Sequence, residues 1–224
     1  MDFTRQLTLC DPSKFRSRPV TIVGAGGIGA ATALAMAKCG FERLTVYDFD
    51  TLEEANGPNQ MLPLSASDRL KGDLFYGVYK VHALARLVYD MTLTAIRPVA
   101  ERYVGQPLGE IVVSAVDSMA ARRQIWSSAL RSAEALFLLD GRMGRESLAI
   151  YAVDLTDEAA MGAYEETLHS DEEALPVPCT EKATIFTNLQ IASWITKIAT
   201  AKCLDRPYPS VMRINMAEYL VVTA

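Results

Sequence analysis

A chain of 224 residues, half of them hydrophobic and 22% charged, holds enough apolar material for one sizeable globular core. Its formal charge of −5 at pH 7 gives no general attraction for nucleic acid or anionic lipid, so neither is expected as a partner. The opening Met1-Asp-Phe-Thr-Arg-Gln6 lacks the basic-then-apolar pattern of a signal peptide and no apolar run approaches membrane-spanning length, which makes a cytoplasmic location the expectation.

After a polar lead-in ending near Pro19, the run Val20-Thr-Ile-Val23 predicts a strand, and an alanine-rich helix is expected from about Gly29 to Lys38, stopped by Gly40. Between them lies Gly24-Ala25-Gly26-Gly27-Ile28-Gly29, a bare main-chain turn at a helix start, where unpaired N–H groups and the helix dipole suit a phosphate. In this pattern Gly24 permits the tight turn, Gly26 lets the backbone approach a diphosphate, and Gly29 lets helix and strand pack closely. The next strand, Leu44-Thr-Val-Tyr47, ends at Asp48, nineteen residues beyond Gly29, where a carboxylate accepts bonds from a ribose.

Further on, the spacing predicts a helix from about Val78 to Tyr89, a strand at 111–116, a helix at 120–131, and strands at 135–139 and 148–153. This alternation predicts an α/β fold with a Rossmann-like, doubly wound, mostly parallel sheet. Residues 154–178 carry eight carboxylates and the pair Pro176 and Pro178, and read as a solvated crossover loop ending at Cys179. Helical spacing returns from Ala183 to Ala201, and Val211 to Val222 reads as an antiparallel closing strand or hairpin. No linker divides the chain, so 1–224 is expected to be a single domain, with an amino-terminal arm (1–19) and a crossover loop (154–180).

Polar residues gather where such a sheet presents the carboxyl ends of its strands, the usual place for a ligand in open α/β folds. Asp48 and Asp50 follow the second strand, and Asn56, Asn59 and Gln60 lie in the loop after it. Lys80 opens the next helix, where the dipole opposes a cation unless an anion shares the site. Asp117 follows the strand Ile111-Val-Val-Ser-Ala-Val116, well placed for Mg²⁺ beside a phosphate or, alternatively, as the cap of the helix carrying Arg122. Cys10, Cys39, Cys179 and Cys203 are too widely spaced for a zinc-type pair; Cys10, Cys39 and Cys203 read as packing residues.

Taken in order, Arg5-Gln6, the Gly24 to Gly29 turn, Asp48-Phe-Asp50, Asn56-Gly-Pro-Asn-Gln60, Gly77-Val-Tyr-Lys80 and Asp117 with Arg122 resemble the ThiF/MoeB/HesA superfamily of adenylating enzymes, relatives of ubiquitin-activating enzymes. The resemblance covers about residues 3–154 and implies ATP and Mg²⁺ as cofactors. It implies adenylation of the C-terminal carboxylate of a ubiquitin-like or sulfur-carrier protein, with Asp48 on the ribose, Lys80 on the triphosphate and Asp117 organising the metal. It also implies a homodimer in which Arg5 reaches the partner's nucleotide, and a Cys179 that takes the acyl group as a thioester. The family's arginine before the glutamine is Asn59 here, which removes a charge-assisted contact: either Arg5, Lys80 and another cation such as Arg69 or Lys71 compensate, or ATP is bound weakly.

Two other readings use some of the same residues. An NAD-dependent oxidoreductase shares the turn and Asp48 but leaves Asn56, Gln60, Lys80 and Asp117 without a joint role. A non-catalytic binding protein of the same fold is motivated by the lost arginine.

Overall fold

The computed structural model describes residues 1–63, 77–169 and 184–224. Among these residues, eight strands form one sheet in the order β3-β2-β1-β4-β5-β6-β7-β8. The parallel part comprises β1 (Val20–Val23), β2 (Leu44–Tyr47), β3 (Arg97–Val99), β4 (Ile111–Ser114) and β5 (Phe137–Gly144). Antiparallel pairing then adds β6 (Ser147–Asp154), β7 (Val211–Asn215) and β8 (Leu220–Thr223), so the expected closing hairpin is β7 with β8.

Alternation along each central strand feeds two cores. Val20, Ile22, Ile111, Val113, Phe137 and Leu139 face one side, while Val23, Val112 and Leu138 face the other. The first side is covered by α1 (Gly27–Cys39), α2 (Lys80–Thr92) and α5 (Ile185–Cys203), the second by α3 (Met119–Arg131) and α4 (Glu158–Glu165). Because α1 lies between the sheet, α2 and α5, its small alanines are buried on most of its circumference, which suits a helix with no polar face. Gly40 ends it in the left-handed conformation, with φ at 109°.

The structure departs from expectation at four points. The segment after residue 154 is not all loop: Asp157 accepts from the N–H groups of Ala159 and Ala160 and starts α4. The strand β3 at the far edge was not foreseen, and α2 begins at Lys80 rather than Val78. The cap of α3 is Ser118, whose hydroxyl accepts from the N–H of Ala121, and not Asp117.

Candidate functional site

The strand order reverses between β1 and β4, which opens a crevice at their carboxyl ends. Here the turn after β1 is built by contacts that admit no side chain. Gly24 has φ at 101°, and a Cβ there would overlap the carbonyl of Ala115 just past β4; a Cβ on Gly29 would overlap the carbonyl of Gly24. Gly26 is different, for a Cβ there would meet nothing within 4 Å, so its bareness serves the open side of the turn.

Asp48 is locked against this turn. One carboxylate oxygen accepts the Ala25 N–H at 2.6 Å and the other accepts the Asp50 N–H at 2.8 Å. Burial raises its carboxyl above the ordinary carboxylate range, while these two N–H groups and nearby Lys80 pull the other way. Beyond it, residues 50–52 pair with 77–80: Leu52 donates to the Val78 carbonyl, Lys80 to the Asp50 carbonyl, and Thr51 bridges Tyr79. That pairing sets the Lys80 ammonium 3.0 Å from the Asp50 carboxylate, with Lys80 only 7% exposed at the first turn of α2. Phe49, Asp50, Asn56 and Lys80 line a cleft of about 410 Å³.

Asn56 closes the short turn after β2 by accepting from the Glu53 N–H. The side-chain oxygens of Asn59 and Gln60 are buried and without hydrogen-bond partners among the described residues. Across from these groups, Asp117 is exposed just past β4, two residues beyond the Ala115 carbonyl that abuts Gly24. The turn, Asp48, Asp50, Asn56, Lys80 and Asp117 therefore share the carboxyl-end side of the sheet.

Two expected members are not gathered there. Arg5 is exposed on an arm that folds onto the opposite end of α1, where Gln6 donates to the Cys39 carbonyl. Cys179, like Arg69 and Lys71, lies outside the described residues.

Arg122 belongs to a different structure. It donates to the wholly buried Asp140 on β5 at 3.1 Å and to the carbonyls of Val116 and Gly141. Asp140 also accepts from Arg142 at 2.6 Å and from the Tyr164 hydroxyl at 3.1 Å. Burial opposes charge on Arg142, but Asp140 outweighs it and raises the guanidinium pKa. Burial and the same carboxylate push the Tyr164 phenol well above its ordinary value. This cluster holds the chain that leaves β4 against β5.

One residue at the site was invisible in the sequence. Asn188, fully buried on α5, donates to the main-chain carbonyl of Asn59, and a Cβ on Gly27 would land on its amide. It sits in a helix of mostly apolar spacing more than a hundred residues from either contact, and nothing local marks it.

The ThiF family model matches residues 11–137 of this chain. The chain belongs to the ThiF family. Within it, the chain is 30% identical over 137 residues to ubiquitin-like modifier-activating enzyme 5 of Drosophila erecta, a match covering 56% of this chain and 34% of that protein. It is also 30% identical over 139 residues to the enzyme of the same name from Rattus norvegicus, with the same coverage. The aligned stretch thus spans about a third of these curated relatives.

Among solved structures, E. coli MccB with SeMet MccA superposes with a TM-score of 0.75 at 13% identity, covering 99% of this chain and 71% of that one. E. coli MccB with ATP gives 0.72 at 14% identity, covering 95% and 65%. These likenesses agree with the sheet order and add the fold alone. Among the described residues of this ThiF-family chain, no group of three His, Cys, Asp or Glu side chains could hold a metal ion, and no helix is long and apolar enough to cross a membrane.

Proposed function

We propose that this chain is an adenylation domain, residues 1–224 as one unit, that binds ATP at the turn after β1 and transfers adenylate to the C-terminal carboxylate of a ubiquitin-like or sulfur-carrier protein. The observation that carries the reading is the contrast within the turn. Gly24 and Gly29 are filled by their own chain, whereas Gly26 faces open space next to the Ala25 N–H that Asp48 holds, and the nearly buried Lys80 pairs with Asp50 two residues beyond that acid. E. coli MccB has been crystallised with ATP, and membership of the ThiF family supports the same use of this crevice.

The reaction needs no general base, because a carboxylate is already a nucleophile. One of its oxygens attacks the α-phosphorus, the bond to the β-phosphate breaks, and pyrophosphate leaves with the electron pair. The chain's part is positioning and charge. The amide N–H groups at the start of α1 face the phosphates, Asp48 accepts from the ribose, and Lys80 turns from Asp50 toward the triphosphate. Mg²⁺, held by Asp117 together with phosphate oxygens and water, would supply further neutralisation, and one carboxylate is a usual protein share for that ion.

Asn56 lines the cleft, Gln60 follows it in the same loop, and Asn59 offers an amide where the resemblance implies an arginine. The reading includes a cytoplasmic homodimer in which Arg5 acts in the partner's site, and a thioester at Cys179 after adenylation. ATP–pyrophosphate exchange by the purified chain with candidate carriers, followed by mass spectrometry of the mixture, tests it. Carrier-dependent exchange and an adenylate adduct are expected. Stable carrier binding without ATP binding would instead favour the non-catalytic reading.

A further inference from the structure

We propose that Asn188 is a positioning residue that couples the phosphate-facing turn to the loop after β2; this rests on the ATP-binding reading above. Its amide touches both halves of the site. It abuts Gly27 in the first turn of α1, where a Cβ would overlap the amide and have to displace it, and it donates to the Asn59 carbonyl. The second glycine of the Gly26-Gly27 pair is thus explained by a protein contact and the first by open space.

The position is costly for a structural residue. Asn188 is 0% exposed on a helix whose neighbouring buried residues include Ile191, Ala192 and Ile195, and its side-chain oxygen has no partner among the described residues. A buried amide with an unmade bond destabilises a fold, and an apolar residue of similar shape would remove that cost. Among the described residues the side-chain oxygens of Asn59 and Gln60 are unpartnered as well, so the loop that Asn188 holds carries further unused hydrogen-bonding capacity.

Asn59 is neutral, at the position where the resemblance implies an arginine. With no charge at that position, the loop has to be held by geometry instead, and the Asn188 bond to the Asn59 main chain holds it. When nucleotide fills the turn, any displacement of Gly27 is passed through the Asn188 amide to the loop of Asn56, Asn59 and Gln60. Asn188 touches the turn and the loop and acts through them.

The test compares the wild-type chain with Asn188→Leu and Asn188→Ala by calorimetric ATP titration, thermal melting with and without ATP, and exchange kinetics. Asn188→Leu is expected to match or exceed the wild-type apo melting temperature. Its ATP affinity is expected to fall about tenfold, the size of effect expected from losing one well-placed bond. The KM for ATP should rise by the same factor, with kcat at saturating ATP within about twofold.

A purely structural role predicts the reverse, lowered apo stability with an unchanged ATP-induced shift, and that result overturns the proposal. Should neither variant fold, hydrogen exchange on the wild type decides: ATP is expected to slow exchange at 56–60 and in the first turn of α5 together. Slowing confined to 24–29 overturns it. If the wild type binds no ATP, the function reading fails and this inference with it; if the wild type binds and both variants bind equally, only the coupling fails.

Discussion

Asp48 accepts the Ala25 N–H at 2.6 Å, so the acid that ends β2 is fastened to the turn that ends β1 before any ligand arrives. The carboxylate needs little reorganisation to meet a ribose, but burial has raised its pKa. For the apo fold the sign is that of a raised acid: the stability contributed is full below the unfolded pKa and is lost as pH rises through the folded one. Nucleotide binding has the opposite sign, because the ionised form accepts the ribose hydroxyls. ATP affinity is therefore expected to fall on acidification at a pH above the ordinary carboxylate range. Asp48→Asn should bind weakly and lack that component; calorimetry of both proteins across the acidic range checks it, and identical pH profiles would contradict the assignment.

The two kinds of glycine in the turn separate folding from binding. Gly24→Ala places a side chain at positive φ and against the Ala115 carbonyl, and is expected to cost upward of about 1–2 kcal/mol in urea denaturation. Gly26→Ala meets no protein atom and should leave stability within about 0.5 kcal/mol, yet lower ATP affinity at least about tenfold. Equal loss of stability in both variants would remove the argument that Gly26 faces a ligand.

The elements whose residues carry their own signal were legible. β1, β2 and α1 follow from short apolar runs, a glycine start and a glycine stop, and their ends fall within two residues of expectation. The misses have physical causes. β3 is three residues long with Pro98 in its centre, tolerated because it is an edge strand with one partner. α4 shows Tyr164 as its buried residue, so it has no apolar stripe and its acidic surface reads as loop. Arg122 was linked with Asp117 by sequence proximity, whereas its carboxylate partner Asp140 comes from the adjacent strand, a pairing that exists only once β4 and β5 lie side by side.

That pairing carries its own prediction. Asp140 is wholly buried and neutralises Arg122 and Arg142, which are themselves mostly covered. Asp140→Ala leaves two guanidinium groups short of a counter-charge and is expected to destabilise by about 3–5 kcal/mol. Tyr164→Phe removes one neutral donor and should cost about 1 kcal/mol. Urea unfolding midpoints of the two variants measure the difference, and a near-neutral Asp140→Ala would mean the cluster does not hold β4 against β5.

Asp117 is exposed, and Ser118 already caps α3, so Asp117→Ala should change stability by no more than about 0.5 kcal/mol. It is nevertheless expected to abolish carrier-dependent ATP–pyrophosphate exchange. Cys179→Ala should leave exchange intact and remove only a carrier thioester, detected as an adduct lost on mild thiol treatment. Loss of exchange in a folded Cys179→Ala protein would contradict that division of labour.

The amino-terminal arm offers a chemical readout of its docking. Cys10 lies beside Cys39 of the last turn of α1, and the two thiols titrate as a pair in which one ionises at the other's expense, Cys10 lowered to about 7 and Cys39 raised. Burial meanwhile pushes Cys203 to about 11. Because the thiolate is the nucleophile, iodoacetamide at pH 8 should modify Cys10 well before Cys39 or Cys203, as peptide mapping would resolve. In Cys39→Ala the paired thiol is gone, and the midpoint of the Cys10 rate against pH should move up toward an ordinary thiol. An unmoved midpoint would mean that the arm does not rest on α1 in solution, and with it would go the contact of Gln6 with the Cys39 carbonyl.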